Sequence, residues 1–188
     1  MRSVATICMS IKFHTAIGSQ MTIVNQVNNI RSKFINSMIL SSPAFKDQEA
    51  IPDKYSYHSG NISPPLHIDE VPTDAVSLAL VCHDPDAPKA GGFTHWILFN
   101  ISPETELITE NTIPEDAELG MTDWGDNDWG GPAPPSGTHH YEFCLYALDK
   151  ALDLPTTSTR AELLEAIEPH IIETASLVGI YSAEKVNI

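Results

Sequence analysis

Three apolar runs of strand length set the limits on how this chain can fold. They are residues 75–83 (AVSLALVCH), 94–101 (THWILFNI) and 140–148 (HYEFCLYAL). Each is too short for a typical helix, and Pro/Gly-rich turns separate them, so they read as buried strands. Dense punctuation by Pro43, Pro52, Gly60, Pro64, Pro65 and Pro72 extends the same pattern toward the N-terminus. Short strands without alternating helices favour an all-β sandwich over a helix-alternating parallel sheet.

Only the C-terminal part carries helical signals. Thr159 and Glu162 have capping-box spacing, and Leu163, Leu164, Ile167 and Ile171 follow helical spacing. Pro169 cannot continue such a helix, so it is expected to start a second one at its first position, with Gly179 closing it. Between the second and third strands lies a long loop, residues 102–137, with Trp124, Trp129, Gly130 and Gly131. A loop of that length in a compact domain is functional or packed on the surface. Both tryptophans are expected as packing anchors, with a lid or partner surface as the alternative.

Charge divides the chain. Residues 1–37 hold Arg2, Lys12, Arg31 and Lys33 and no acid, which leaves six basic and all 25 acidic residues to the remainder, a net of -19. The expected division is therefore an N-terminal extension over residues 1–37 and one domain over residues 38–188. The extension reads as a disordered segment or a start placed too far upstream; a targeting segment is the alternative. The formal net charge of -15 opposes binding to nucleic-acid phosphates or an anionic membrane surface. No apolar run reaches the roughly 20 residues of a membrane span, so no stable insertion is expected.

The cysteines, Cys8, Cys82 and Cys144, have no metal-ligand spacing. They point to a reducing, cytoplasmic setting, with a periplasmic or secreted one as the alternative. A disulfide between Cys82 and Cys144 requires adjacent strands with suitable geometry.

Chemistry concentrates in two segments. Asp84-Pro85-Asp86-Ala87-Pro88 precedes His95-Trp96, and Gly137-Thr138-His139-His140-Tyr141 opens the third strand. Strand alternation puts His139 and Tyr141 on one face and His140 on the other. By the same rule Trp96 should point away from His95, into the core. A proline-stiffened acidic turn beside imidazoles suits a small pocket for an anion, with protonated histidines as donors. Asp84 and Asp86 would alternatively cap backbone amides of their own turn. The backbone amides near Gly130 and Gly131 are further candidate donors, since glycine permits close approach. Binding led by histidine predicts tighter association at mildly acidic pH.

These segments, with Asn61-Ile62-Ser63-Pro64-Pro65-Leu66, Gly130-Gly131-Pro132, Arg160-Ala161-Glu162-Leu163-Leu164 and Leu177-Val178-Gly179, resemble the phosphatidylethanolamine-binding protein family. Within it, they are most similar to the bacterial and archaeal Raf-kinase-inhibitor-like branch. The resemblance spans roughly residues 38–181, with several motifs matched in order. It implies a Greek-key β-sandwich with a large central sheet and C-terminal helices. It also implies a ligand pocket formed by Asp84, Asp86, Pro88, His95, Gly131, His139 and Tyr141. The peptide bond before Pro88 is a candidate cis bond. His140 stands where the family often has Arg.

The implied role is non-enzymatic binding of a small anion or phosphorylated, headgroup-like ligand, with no cofactor and no metal. Modulation of a kinase or protease partner and homodimerisation are further implications of the family. The alternatives are an inhibitor of a kinase or serine protease acting through a protein interface, and a metal-dependent hydrolase using His95, His139 and Asp84. No HExxH, CxxC or GxSxG spacing supports the last. Asp126-Asn127-Asp128 lacks the rest of a calcium-loop pattern and reads as a solvated acidic loop.

Overall fold

In the computed structural model, residues 37–183 are described. The readings of the N-terminal extension lie outside the described residues. Two sheets form. The smaller has three strands in the order β1-β3-β6: β1 (Ile39–Ser41), β3 (Leu66–Asp69) and β6 (Leu107–Ile108). The larger has six in the order β2-β9-β8-β4-β5-β7. Its members are β2 (Glu49–Ala50), β4 (Ser77–Asp84), β5 (Phe93–Ile101), β7 (Glu118–Leu119), β8 (Thr138–Leu148) and β9 (Ile171–Ser182). The run β8-β4-β5-β7 is antiparallel throughout. It is the Greek-key order, in which the fourth strand returns by a long connection to lie beside the first.

β4 is buried along its whole length, as a continuous apolar run requires. Its alternate side chains feed different cores. Leu78, Leu80 and Cys82 join Leu40, Leu66 and Ile68 of the small sheet, so that cluster fills the space between the sheets. Ala79 and Val81 face the other way and meet Leu163 and Ile167 of α1 (Arg160–Ile167). The sandwich therefore carries one helix on its outer face.

That helix starts where its sequence says. Thr159 accepts from the Glu162 amide, and Glu162 returns a bond to the Thr159 amide. Leu163 and Ile167, one turn apart, are both fully buried, each contributing roughly 1.5–3 kcal/mol by burial.

The second C-terminal helix does not form. Pro169 sits in a 3-10 turn, Glu168–His170, and residues 171–182 become β9. β9 pairs with β8 from Leu148↔Ile171 to Thr138↔Ser182. Ile171, Ile172, Thr174, Val178 and Ile180 are β-branched and suit a pleated surface. Without β9, the edge of β8 that faces away from β4 would leave its backbone groups unpaired. Long-range pairing thus overrides the local helical spacing. Gly179 is a strand residue opposite Tyr141. A Cβ there would lie 2.4 Å from Ile51 Cγ1, so glycine permits the close packing of the segment that carries β2.

Cys82 and Cys144 lie on adjacent strands, but Cys82 packs between the sheets and Cys144 against the helix side. Opposite faces preclude the disulfide. No cis peptide occurs among the described residues, so the bond before Pro88 is trans.

Candidate functional site

A cavity of about 190 Å³ opens at the end of the large sheet where β4 turns into β5 and β8 begins. It is smaller than the ~300–1,000 Å³ of drug-sized ligand sites, so it suits a small group. Asp84, His95, His139 and Tyr141 supply its polar side chains. Pro88, Phe93, Trp124 and residues 133–135 form most of its apolar wall.

Each polar side chain arrives by a different local device. Asp84 is the last residue of β4, on the face shared with Cys82. His139 and Tyr141 alternate on the same face of β8, with His140 on the opposite one, as strand geometry requires.

His95 comes by a β-bulge. In the β4/β5 ladder, Cys82 faces Trp96 and His83 faces Thr94, so His95 is an extra residue with no partner. The bulge corrects the expectation for Trp96. Trp96 does fill the core, packing edge-on against Trp129 with ring centroids 5.7 Å apart. Yet it lies on the same side as His95, whose ring meets Tyr141 at 5.0 Å.

Asp84 is 2% exposed and both its oxygens are engaged. One accepts the Asp86 amide at 2.8 Å and the other accepts His139 Nδ1 at 2.7 Å. The turn-capping and pocket readings of Asp84 are therefore both realised in one carboxylate. The bond to Nδ1 leaves Nε2 as the remaining polar atom of His139.

His95 Nδ1 donates to the Gly130 carbonyl at 2.5 Å. Burial holds this imidazole below its ordinary pKa, against the raising effect of that carbonyl and of Asp84. The Tyr141 phenol is pushed well above its usual value, first by burial and then by the adjacent Asp84 carboxylate. Its hydroxyl is buried beside the Asp84 carboxylate and the Ala133 backbone, with no hydrogen bond of regular geometry.

Two of the sequence-derived site residues stand apart from the cavity. Asp86 is at the exposed rim, where its carboxylate accepts both the amide and Nδ1 of His140, at 2.9 and 2.7 Å. Burial acts to raise its pKa, but the bonds to His140 outweigh this and hold it below the carboxylate range. Gly131 is spent on packing. Its amide donates to Asn61 Oδ1 at 2.8 Å, and a Cβ there would lie 2.1 Å from the Tyr55 carbonyl. The Gly130 amide likewise donates to the His95 carbonyl. The glycine amides are thus internal donors, not ligand donors.

The tryptophans divide. Trp129 is a core anchor, stacked on Phe143 and donating Nε1 to the Tyr55 carbonyl. Trp124 is a cavity wall, stacked flat on Tyr57 at 4.2 Å and edge-on to Phe93. Sequence reasoning did not place Trp124, Phe93 or residues 133–135 at the site. Phe93 faces Asp84 directly in the ladder, so a fixed hairpin register would have pointed to it. The acidic loop is tied down: Asp126 accepts from Thr122 and Asn127 donates to the Thr156 carbonyl.

On the back of the sheet, His83 holds the turn that carries Asp86 and Pro88. Its Nδ1 lies 3.3 Å from Thr94 Oγ1, and the ring also bonds the Gly91 backbone. Burial, then the charge of Arg160, lowers its pKa to about 4.

Among the described residues, no three His, Cys, Asp or Glu side chains converge as metal ligands. No helix among them is long and apolar enough to cross a membrane. Lys89, near the wall over the Phe93 ring, is paired with Asp123. The cavity thus has no unpaired Lys or Arg in its lining, and its candidate donors are imidazole, phenol and the Trp124 indole, whose Nε1 is buried without a hydrogen-bond partner.

The family model for phosphatidylethanolamine-binding protein matches residues 41–182. A UPF0098 protein of Methanothermobacter thermautotrophicus is 45% identical over 149 residues, covering 77% of this chain and 98% of its own. The solved structure of the phosphatidylethanolamine-binding protein homolog CT736 from Chlamydia trachomatis superposes with a TM-score of 0.76 at 40% identity, covering 79% of this chain and 99% of that one. Escherichia coli YbcL, described as a member of the mammalian PEBP family, gives a TM-score of 0.75 at 27% identity with the same coverage.

Proposed function

The chain belongs to the phosphatidylethanolamine-binding protein family, and from that premise we propose that its Asp84/His95/His139/Tyr141 cavity binds a small phosphate-like anion without turning it over. The observation that carries the reading is the buried Asp84/His139 bond. It orients the imidazole through Nδ1 and commits Nε2 to whatever enters. A protonated Nε2–H and the Tyr141 hydroxyl, which makes no hydrogen bond of regular geometry, are donors of the kind an oxyanion needs. Enclosure strengthens such bonds, because local dielectric is low there. The site works locally against a formal net charge of -15.

Binding without turnover fits the lining. No described residue of the cavity is a serine, threonine or cysteine, so none offers a hydroxyl or thiol nucleophile of the usual kind. The one carboxylate is already committed to a histidine and a backbone amide. Modulation of a kinase or protease would then follow from capture of a phosphorylated partner segment.

The test is an NMR titration of the full chain with phosphate and phosphoethanolamine at about pH 5.5 and about pH 8, bracketing the histidine range. Saturable shifts at the His95 and His139 imidazoles, tighter at the lower pH, are expected. The control is His139→Asn, whose amide can still donate to Asp84 while Nε2 is lost. It should fold and fail to bind. Silence of the folded wild-type protein at both pH values would refute the anion site and turn attention to a protein-contact surface.

A further inference from the structure

The hydrogen-bond inventory of the cavity restricts which anion fits. A carbonyl only accepts, so His95 Nδ1, facing Gly130 O, carries the ring hydrogen. The neutral ring then presents a lone pair at Nε2. His95 is 3% exposed, and burial favours this neutral form. Both Asp84 oxygens accept as well, each with a further lone-pair site beyond the bond it makes. Asp84 and His95 therefore offer acceptors. Donors on the wall are the Tyr141 hydroxyl, the Trp124 indole N–H, which is buried without a hydrogen-bond partner, and His139 when protonated; none of them satisfies the acceptors of Asp84 and His95 once it turns to an anion. An anion with acceptors alone would set its lone pairs against Asp84 and His95. One acidic O–H on the ligand removes that conflict, since it donates to one of them while the anionic oxygens accept from Tyr141 and His139.

We propose that the cavity selects a singly protonated phosphoryl group, as in dihydrogen phosphate or a phosphomonoester monoanion, and rejects oxyanions that lack an acidic hydrogen, such as sulfate and phosphodiesters. The inference rests on the anion-binding reading of this site and narrows it. It admits free phosphate and monoesters and excludes the diester linkage of an intact phospholipid. The titratable groups facing the cavity are Asp84 from β4, His95 from β5, and His139 and Tyr141 from β8. At the rim stand the Asp86/His140 pair, and beside Phe93 the Lys89/Asp123 pair.

Four probes test it by calorimetric titration of the full chain at about pH 5.5, below the second phosphate pKa of about 6: inorganic phosphate, methyl phosphate, dimethyl phosphate and sulfate. Methyl phosphate and dimethyl phosphate then carry about the same charge, and only the first has an O–H. Phosphate and methyl phosphate should bind, with dimethyl phosphate and sulfate about tenfold weaker or more, the scale of leaving buried groups unpaired. Phosphate binding without methyl phosphate binding would restrict the ligand to the free ion and overturn the monoester part. Equal binding of dimethyl phosphate or sulfate would overturn the selectivity while leaving the anion site standing. Failure of all four to bind would overturn both.

Discussion

His95 and Trp96 are consecutive in a strand and yet face the same side of the sheet, because His95 is an extra residue of β5 at one of the two places where its register with β4 shifts. The imidazole enters the cavity and the indole enters the core beneath it. Deleting His95 would restore regular pairing at this end of the ladder, since Thr94 already faces His83 and Trp96 already faces Cys82, and would leave the second register shift, between Leu78 and Leu80, untouched. The deletion variant should keep a cooperative β-sheet fold by circular dichroism and lose the anion site. Deleting Ile97 instead would turn one flank of β5 to the wrong face, and that variant should not fold.

The buried Asp84/His139 pair separates stability from binding. His139→Ala leaves a buried carboxylate without its partner and should cost about 3–5 kcal/mol in urea denaturation. His139→Asn, which keeps a donor toward Asp84, should recover most of that loss without recovering anion affinity. Equal stability of the two variants would show that the pair contributes nothing to the fold.

Acid should destabilise this protein before it titrates most carboxylates. His83 falls from the ordinary 6.5 to about 4 on folding, mainly by burial, and His95 is lowered for the same reason. A depressed histidine pKa means that the unfolded chain binds protons the folded one refuses. Stability is therefore full above about pH 6.5 and declines between about pH 6.5 and pH 4. Thermal melts across that window should show the decline, and His83→Gln should flatten it.

Gly131 is predicted to matter for the fold and not for ligand chemistry. Gly131→Ala drives a methyl group into the Tyr55 carbonyl. Backbone cannot give way as a side-chain tip can, so a loss of about 3 kcal/mol is expected. Anion affinity of the fraction that remains folded should be unchanged.

The helix face offers a contrast. Leu163 is fully buried on the side of the sheet away from the cavity. Leu163→Ala should cost about 2–5 kcal/mol with wild-type anion binding below its melting transition.

Local periodicity made much of this legible in the sequence. The apolar runs became β4, β5 and β8, alternation put His139 and Tyr141 together and His140 outside, and Thr159 with Glu162 capped α1. What stayed hidden was long-range. A bulge is a mismatch between two strands, so nothing in residues 93–101 alone announces that His95 is the unpaired one. β9 was hidden for the same reason: the edge of β8 decided its conformation, while the Ile171 spacing and Pro169 spoke for a helix. The commitment of the Gly131 amide to Asn61 spans 70 residues and has no local signature.

The strands at the ends of both sheets are short. β2, β6 and β7 have two residues each and β1 has three, while the four central strands of the large sheet have eight to twelve. Each terminal strand by itself gives a foreign segment a ladder of only two or three residues, but β2 pairs with β9 at just Gly179 and Ile180, so strand addition to this domain would have to run along the rest of β9.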